Sequence, residues 1–280
     1  MTILLTGGTG KSATPLAKLL LEANQRVLLA TRSGKVLAPF KGVQFDWFDA
    51  STYKNPFEAD SGIDRIYLIP PAVFDMFPPM KAFIDFAITK GVKRFVLMGA
   101  ALLEVGDPLM GKVHEYLASL GVDYCVLRPS WFFDNLLLNL SEAIRKENSI
   151  INAAGPGLIG WISTEDIADV AFKALIDPVI EHTHPIMVGP ELLSYAQIAR
   201  ILSEVLGREI KHNNVAADEY KRIWIQRGMQ EDYAAFMSVK DVEISEGAEE
   251  RAFNRADFVG RKTLREFVEA HKDAEAWRAV

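Results

Sequence analysis

Short apolar runs alternate with longer segments of helical periodicity along roughly the first 130 residues of the chain. Each run has the length of a buried strand, and each intervening segment repeats its apolar residues every three or four positions. This alternation predicts an α/β fold in which helices cover both faces of a parallel sheet. The predicted strands are ILLTG, RVLLATR, GVQFDWF, RIYLIPP, RFVLMGA and DYCVLRP.

Right-handed crossovers through the intervening helices predict a doubly wound (Rossmann) sheet with the strand order 3-2-1-4-5-6. The helix STEDIADVAFKALID, capped by Ser163 or Thr164, returns to this domain. From GPELLSY onward the alternation is lost and helical patterns dominate. We predict a main domain over residues 1–189 and a smaller, helix-rich lobe over 190–280, with 131–162 contributing to a substrate cleft between them.

Composition narrows the class of protein. The 280 residues are 49% hydrophobic and carry a net charge of −6 without a basic face, so a nucleic-acid partner is not expected. The single cysteine, Cys125, rules out a disulfide within the chain, which suits a reducing compartment. Without an apolar stretch of about eighteen residues or a signal-like start, the chain is expected to be cytoplasmic and not to engage a membrane.

The first predicted strand ends in a glycine turn that leads into a helix. Gly7 permits a tight turn, Gly10 permits close approach to a phosphate, and the free N–H groups at the helix start face an anion. Ala13 stands where a stricter fingerprint has glycine. The position of the turn favours a dinucleotide site; the alternative is an ordinary strand–helix turn that binds nothing.

The end of the second strand indicates which dinucleotide fits. A free ribose 2′-hydroxyl calls for Asp or Glu there, whereas this chain has Thr31, Arg32 and Ser33. The guanidinium of Arg32 suits a 2′-phosphate, so we predict NADP(H) rather than NAD(H). The alternative is a solvated surface arginine without a ligand.

Seven segments spread over nearly the whole chain resemble the NmrA-like branch of the atypical short-chain dehydrogenases. Their order is most similar to that of fungal ergot-alkaloid reductases of the festuclavine synthase and agroclavine dehydrogenase type. The resemblance implies an NADPH-dependent reductase that acts on the iminium (C=N⁺) formed when chanoclavine-I aldehyde cyclises. The segments are LLTGGTGK, FDWFD, IPPAVFDMFPPM, GVKRFVLMGA, YCVLRPSWFFDN, IS-x-x-DIA and GPELLSY.

The same resemblance implies a set of cofactor-binding positions. The glycine turn would hold the pyrophosphate, and the chain after the fourth strand would lie beside that group. Asp46 would lie next to the adenine, and residues 128–131 would lie on the nicotinamide side. The implied cofactor residues are Gly7, Thr9, Gly10, Lys11, Ser12, Arg32, Ser33, Asp46, Leu68, Ile69, Pro70, Gly99 and Arg128.

The chain departs from typical short-chain dehydrogenases in its catalytic group. Those enzymes protonate a carbonyl with a Tyr four residues before a Lys, but none of the seven tyrosines here has that spacing. After the fifth strand the sequence reads Met98-Gly99-Ala100-Ala101, without the usual hydroxyl. Hydride addition to an iminium starts from a cation and ends at a neutral amine, so its chemical step needs no proton donor.

Aromatic rings and an acidic group could bind an indole-containing cation. We predict substrate contacts from Phe74, Trp131, Phe132 and Trp161, and a catalytic role for the carboxylate of Asp134. The alternative for each ring is that it fills the core between sheet and helices.

Lys112 is a second candidate catalytic residue. It could bind the nicotinamide ribose or shuttle a proton, as in related NmrA-like reductases, or it could be a solvated helix lysine. His114 leaves the helix about 200° away and is not expected to act with it. The histidines lack metal-ligand spacing, so no metal is predicted.

Two other functions remain open at this stage. Some NmrA-like proteins sense the redox state by binding NADP(H) without turning over a substrate, and the missing Tyr–Lys pair fits them too. A reductase of a quinone or an enone would keep the enzyme class and change the substrate. The sequence does not determine the oligomeric state.

Overall fold

A computed structural model describes residues 1–138 and 140–278. The chain divides into two units, each discontinuous in sequence. These units differ from the predicted domains, because residues 129–166 group with the C-terminal part of the chain. Unit 1 comprises Met1–Arg128 and Ile167–Pro185, and unit 2 comprises Pro129–Asp166 and the residues from Ile186 onward.

Unit 1 is built on six parallel strands in the order β6-β5-β4-β1-β2-β3, which confirms the predicted doubly wound arrangement. The central strand β1 is buried along its whole length, as a strand covered on both faces must be. The strands are β1 (Thr2–Thr6), β2 (Val27–Thr31), β3 (Lys41–Gln44), β4 (Ile63–Leu68), β5 (Arg94–Met98) and β6 (Asp123–Pro129).

The helices of unit 1 lie between these strands in sequence. The predicted helices after β4 and β5 are confirmed, and so is the later one, where Ser163 Oγ accepts from Glu165 N at the helix start over 3.1 Å. The helices are α1 (Ala13–Glu22), α2 (Asn55–Ala59), α3 (Phe77–Thr89), α4 (Met110–Ser119) and α7 (Thr164–Ile176), of which α7 enters unit 1 at Ile167.

The third strand is shorter than the aromatic pattern predicts. β3 ends at Gln44, and the following rings of Phe45 and Trp47 turn inward onto Phe83 of α3, with ring centroids 4.6 and 5.5 Å apart respectively. Alternating aromatic residues suit a strand and an aromatic core equally well, so the pattern alone placed the end of the strand too late.

Two arginines of unit 1 satisfy backbone carbonyls in the last turn of α7 and just after it. The guanidinium of Arg65 donates to Leu175 O, and that of Arg94 donates to Ala174 O over 3.2 Å and to Pro178 O over 3.1 Å. The last carbonyls of a helix lack partners within the helix and carry partial negative charge, so these cations stabilise that end.

Unit 2 contains two parallel strand pairs, β7–β9 and β8–β10, among helices of 4 to 15 residues. The helix-rich character was predicted; the four strands were not, since each has only two to four residues. The elements are α5 (Asp134–Leu137), α6 (Ser141–Glu147), β7 (Ser149–Asn152), β8 (Ile186–Val188), α8 (Tyr195–Leu206), β9 (Lys211–Asn214), α9 (Ala217–Gln226), α10 (Glu231–Ser245), α11 (Ala248–Asn254), β10 (Phe258–Val259) and α12 (Leu264–Ala270).

Within the part of the chain that the structure describes, no helix has the length and apolar character needed to cross a membrane.

Candidate functional site

Five strands of unit 1 end next to residues predicted to bind a cofactor. Because β1, β2, β4, β5 and β6 are parallel, their carboxyl ends meet at one edge of the sheet. Open α/β sheets bind their ligands at this edge. The predicted residues found there are Gly7, Thr9, Gly10, Lys11 and Ser12 after β1, Arg32 and Ser33 after β2, Leu68, Ile69 and Pro70 at the end of β4, Gly99 after β5, and Arg128 in β6.

The turn after β1 leaves no room for a side chain at its glycines. Gly7 has φ +58°, and Gly10 N donates to Gly7 O over 2.7 Å. A Cβ on Gly8 would lie 2.6 Å from Leu29 Cβ, and one on Gly10 would lie 2.9 Å from Gly7 O. The backbone therefore carries no side chain at Gly8 and Gly10, just ahead of α1, and the first turn of α1 carries no acidic residue. This arrangement fits the pyrophosphate of a dinucleotide.

Thr6 and Tyr67 hold this turn in place, and sequence reasoning missed both residues. Thr6 Oγ1 donates to Tyr67 O over 3.1 Å and accepts from Ile69 N over 2.7 Å, which ties the end of β1 to the predicted pyrophosphate segment. The Tyr67 hydroxyl donates to Ser12 Oγ over 3.1 Å. Burial raises the pKa of Tyr67, so the phenol stays a donor.

The chain after β2 leaves Arg32 exposed, as a ligand-binding arginine requires. The turn beside it is fixed by Lys35 N, which donates to Ser33 Oγ over 3.2 Å. Asp46, predicted to pass the adenine, is half-buried beyond the end of β3, where its Oδ1 accepts from Phe48 N over 2.9 Å. Arg32 and Lys35 are both exposed here, and the structure records no contact of either side-chain cation among the described residues, so both are available to an added phosphate.

Arg128 organises the loop after β5. Its buried guanidinium donates to Ala101 O over 3.0 Å and to Glu104 Oε1 over 2.7 Å. A Cβ on Gly99 would lie 2.9 Å from Leu127 O, so β5 and β6 approach closely at this edge. Arg128 therefore lies at the predicted edge, with its side chain bonded to the loop.

Lys112 lies exposed in the first turn of α4, and no hydrogen bond or ion pair engages it among the described residues. His114, two residues on, is buried, and desolvation followed by the nearby His184 lowers its pKa to about 4. A histidine that stays neutral above that pH does not serve as an acid at neutral pH. Lys112 remains the candidate on this helix.

In unit 2 the predicted aromatic segment is paired along its backbone. Ile162 N donates to Trp131 O over 2.9 Å, and Phe133 N donates to Ile162 O over 3.1 Å. Trp131 and Phe132 are half-buried, and Asp134 starts α5 and is half-buried as well. Phe74, another predicted aromatic contact, is half-buried in unit 1 between β4 and α3.

Three rings form a row in unit 2, which we call the aromatic row: Trp131, Trp161 and Tyr195. The Trp131 and Trp161 centroids are 6.1 Å apart, and Tyr195 meets Trp161 edge to face at 5.5 Å. Trp161 is 1% exposed and Tyr195 is 2% exposed, so the half-buried Trp131 is the ring that a ligand could touch directly. Trp161 lies behind it as a supporting ring.

Two buried carboxyl groups of unit 2, from Asp241 and Glu249, also escaped sequence reasoning. Asp241 Oδ2 accepts from Ala153 N over 2.8 Å, and its Oδ1 is buried without a hydrogen-bond partner among the described residues. Glu249 Oε2 accepts from Ser130 Oγ over 2.6 Å. Burial raises the pKa of each carboxyl to about 7. In sequence both are acidic residues within helices, where solvent exposure is the ordinary expectation.

No group of three His, Cys, Asp or Glu residues that could hold a metal ion occurs within residues 1–138 and 140–278.

Comparisons with known proteins agree with this arrangement. The chain is 42% identical over 259 residues to festuclavine synthase I of Penicillium roqueforti, covering 89% of this chain and 90% of the relative. It is 41% identical over 258 residues to agroclavine dehydrogenase of Claviceps fusiformis, covering 90% and 89%. The crystal structure of an NADPH-dependent quinone oxidoreductase from Escherichia coli, complexed with NADPH, has the same fold, with a TM-score of 0.76 at 21% identity over 96% of this chain and 99% of that one.

The profile of the NmrA-like family matches residues 1–268. The match covers the glycine turn, all strands of unit 1 and most of unit 2. The chain belongs to the NmrA-like family, among relatives that are oxidoreductases.

Proposed function

We propose that this protein is an NADPH-dependent reductase that transfers hydride to the iminium of a small, indole-containing alkaloid intermediate. The observation that carries the proposal is a bare glycine turn with an exposed Arg32 at a sheet edge that lacks the Tyr–Lys proton donor of carbonyl reductases. The relatives named festuclavine synthase and agroclavine dehydrogenase support an alkaloid substrate.

The residues present fit NADPH. The turn from Gly7 to Ser12 and the start of α1 would hold the pyrophosphate, and Arg32 would bind the 2′-phosphate. When bound, NADPH supplies the hydride. Lys112, which is exposed in the first turn of α4, is the candidate for binding the nicotinamide ribose.

The chain's own contribution to the reaction is position and electrostatics. An iminium carbon accepts hydride and its nitrogen becomes a neutral amine, so the substrate loses one positive charge and no proton moves in that step. The protein must hold the two reacting carbons together and tolerate the cation beforehand. The ring of Trp131 can stabilise such a cation through its face, and Asp134 at the start of α5 is the candidate for a nearby negative charge.

The test is NADPH consumption with chanoclavine-I aldehyde, with and without a thiol that helps the aldehyde isomerise, followed by mass analysis. A tetracyclic product two hydrogens heavier than the iminium is expected. Tight NADPH binding with no such product would reject the alkaloid substrate, and parallel assays with a quinone and an enone would then separate another reductase from a cofactor sensor.

A further inference from the structure

The carboxyl group of Glu249 is bonded in the interior of unit 2 to a residue 119 positions earlier in the chain. That residue, Ser130, donates its hydroxyl proton to Glu249 Oε2 over 2.6 Å, and both side chains are buried. The backbone of Ser130 is fixed as well, because its N–H donates to Met187 O over 2.8 Å. Glu249 therefore holds the chain directly after β6.

The bond between Ser130 and Glu249 lies one residue before a ring of the aromatic row. Trp131 follows Ser130 and is the half-buried end of the aromatic row. At the other end of the row, burial raises the pKa of Tyr195, and the negative charges of Asp241 and Glu249 raise it further. The carboxyl of Glu249 is thus bonded beside one end of the row and acts electrostatically on the other.

We propose that Glu249 is a positioning and specificity-determining residue, whose ionised carboxylate, bonded to the residue before Trp131, selects a cationic aromatic substrate over a neutral one of similar shape. This inference rests on the proposed function for the assignment of the row to the substrate site. Glu249 is 1% exposed, so it acts through Ser130 and through its charge, without touching the substrate.

The size of the effect follows from elementary electrostatics. A unit charge about 10 Å away, at an effective dielectric constant of about 20, changes the affinity of a cation roughly tenfold. Hydride transfer removes the cation's charge, so the carboxylate attracts the bound substrate but not the neutral amine that is formed. The preference should appear in substrate affinity and leave the affinity for NADPH unchanged.

The preference should also depend on pH. Burial raises the pKa of Glu249 to about 7, the Ser130 hydroxyl lowers it, and the neighbouring charge of Glu250 raises it. The other titratable groups that act on Tyr195 are Asp241 of α10 and Tyr220 of α9. The cation preference is expected to grow as the pH rises through about 7, because the carboxylate forms over that range.

The experiment is equilibrium dialysis of the full-length protein, saturated with NADP⁺, against two probes. The permanent cation 1-methylquinolinium is measured from pH 5.5 to 8.5, and the neutral 4-methylquinoline is measured at pH 8. We expect the wild-type protein to bind the cation about tenfold more tightly at pH 8, with the affinity falling as the pH drops through about 7.

Three variants make the result specific. Glu249→Gln keeps an acceptor for Ser130 and should lose most of the preference and most of its pH dependence, and the remainder is the contribution of Asp241. Ser130→Ala should keep the preference but move its midpoint to a higher pH, because the bond that favours the ionised form is gone. Glu246→Gln removes an exposed carboxyl just before α11 and should behave as wild type.

Retention of the preference in Glu249→Gln would overturn the inference, and so would a wild-type protein that binds both probes alike or binds neither. If Glu249→Gln does not fold, an unmoved midpoint in Ser130→Ala overturns it instead. The assay needs no turnover. Discrimination between the probes without iminium reduction would reject only the proposed function, and reduction without discrimination would reject only this inference.

Discussion

The hydroxyl of Tyr67 donates a hydrogen bond to Ser12 Oγ across 3.1 Å, joining β4 to the turn that follows β1. Both side chains are buried, and the raised pKa of Tyr67 keeps its phenol protonated at every physiological pH. Because Tyr67 is the donor in this bond, the proton of the Ser12 hydroxyl remains available to an anion at the start of α1. A core tyrosine thereby orients a predicted cofactor residue.

Replacing Tyr67 by phenylalanine should therefore weaken cofactor binding more than it weakens the fold. The ring keeps its packing, and loss of one buried hydrogen bond costs about 1 kcal/mol of unfolding free energy. We expect the Kd for NADPH to rise several-fold, measured by fluorescence titration, with a small loss of stability in denaturant unfolding. Tyr220→Phe, which removes a buried tyrosine hydroxyl of unit 2, is the control and should leave the Kd unchanged.

Reversing the charge of Arg32 should reverse the cofactor preference. A charge-assisted bond to a 2′-phosphate contributes about 1.5–3 kcal/mol, so Arg32→Glu should raise the Kd for NADPH by roughly 10- to 100-fold and change that for NADH little. Lys18→Glu, an equal charge change on the exposed face of α1, should alter neither constant strongly. Equal weakening of both cofactors by Arg32→Glu would contradict the assignment.

The two tryptophans of the aromatic row should respond differently to truncation. Trp131 is half-buried, so Trp131→Ala should raise KM for a bulky indolic substrate at least tenfold while the Kd for NADPH stays unchanged. Trp161 is 1% exposed, so Trp161→Ala should cost about 3–5 kcal/mol of unfolding free energy. Steady-state kinetics and calorimetry together separate these effects; a Trp131→Ala variant that is equally destabilised would identify Trp131 as a core residue.

Asp241 should make the protein less stable as the pH rises. Its folded pKa of about 7 lies above the ordinary value of 3.8, so its contribution is fully present below about pH 4 and is lost as the pH passes through 7. We expect this group to lower the unfolding free energy by about 4 kcal/mol between pH 4 and pH 8.

Asp241→Asn should remove that part of the pH dependence and be more stable than wild type at pH 8, as measured by urea unfolding at both pH values. The exposed Asp273→Asn is the matched control, for which no such difference is expected. A parallel pH dependence in wild type and Asp241→Asn would show that the carboxyl is ionised in the folded protein over the whole range.

The features that sequence reasoning predicted correctly are local ones. The glycine turn is specified by Gly7, Gly8 and Gly10 within four positions, and the strand order follows from right-handed crossovers between adjacent strands. A helix start such as that of α7 is likewise specified by consecutive residues. Such patterns can be recognised without knowing which distant residues pack against them.

The features that it missed depend on residues far apart in the chain. Thr6 meets Tyr67 61 positions away, and Ser130 meets Glu249 119 positions away. A threonine at a strand end or a glutamate in a helix carries no local sign of such a partner. The end of β3 was misplaced for a related reason, because the aromatic residues after Gln44 pack onto a helix that the strand pattern does not include.

The alternation of the chain between its two units limits how the protein can be recombined with its relatives. The backbone passes from one unit to the other between residues 128 and 129, between 166 and 167, and between 185 and 186. A chimera with one crossover point would split at least one unit between two parents, and a truncated fragment ending at residue 189 would include all of unit 1 but only part of unit 2. Exchanging substrate preference while keeping the native glycine turn and Arg32 therefore calls for all three junctions to be respected, with 129–166 and the residues from 186 onward taken from the same donor.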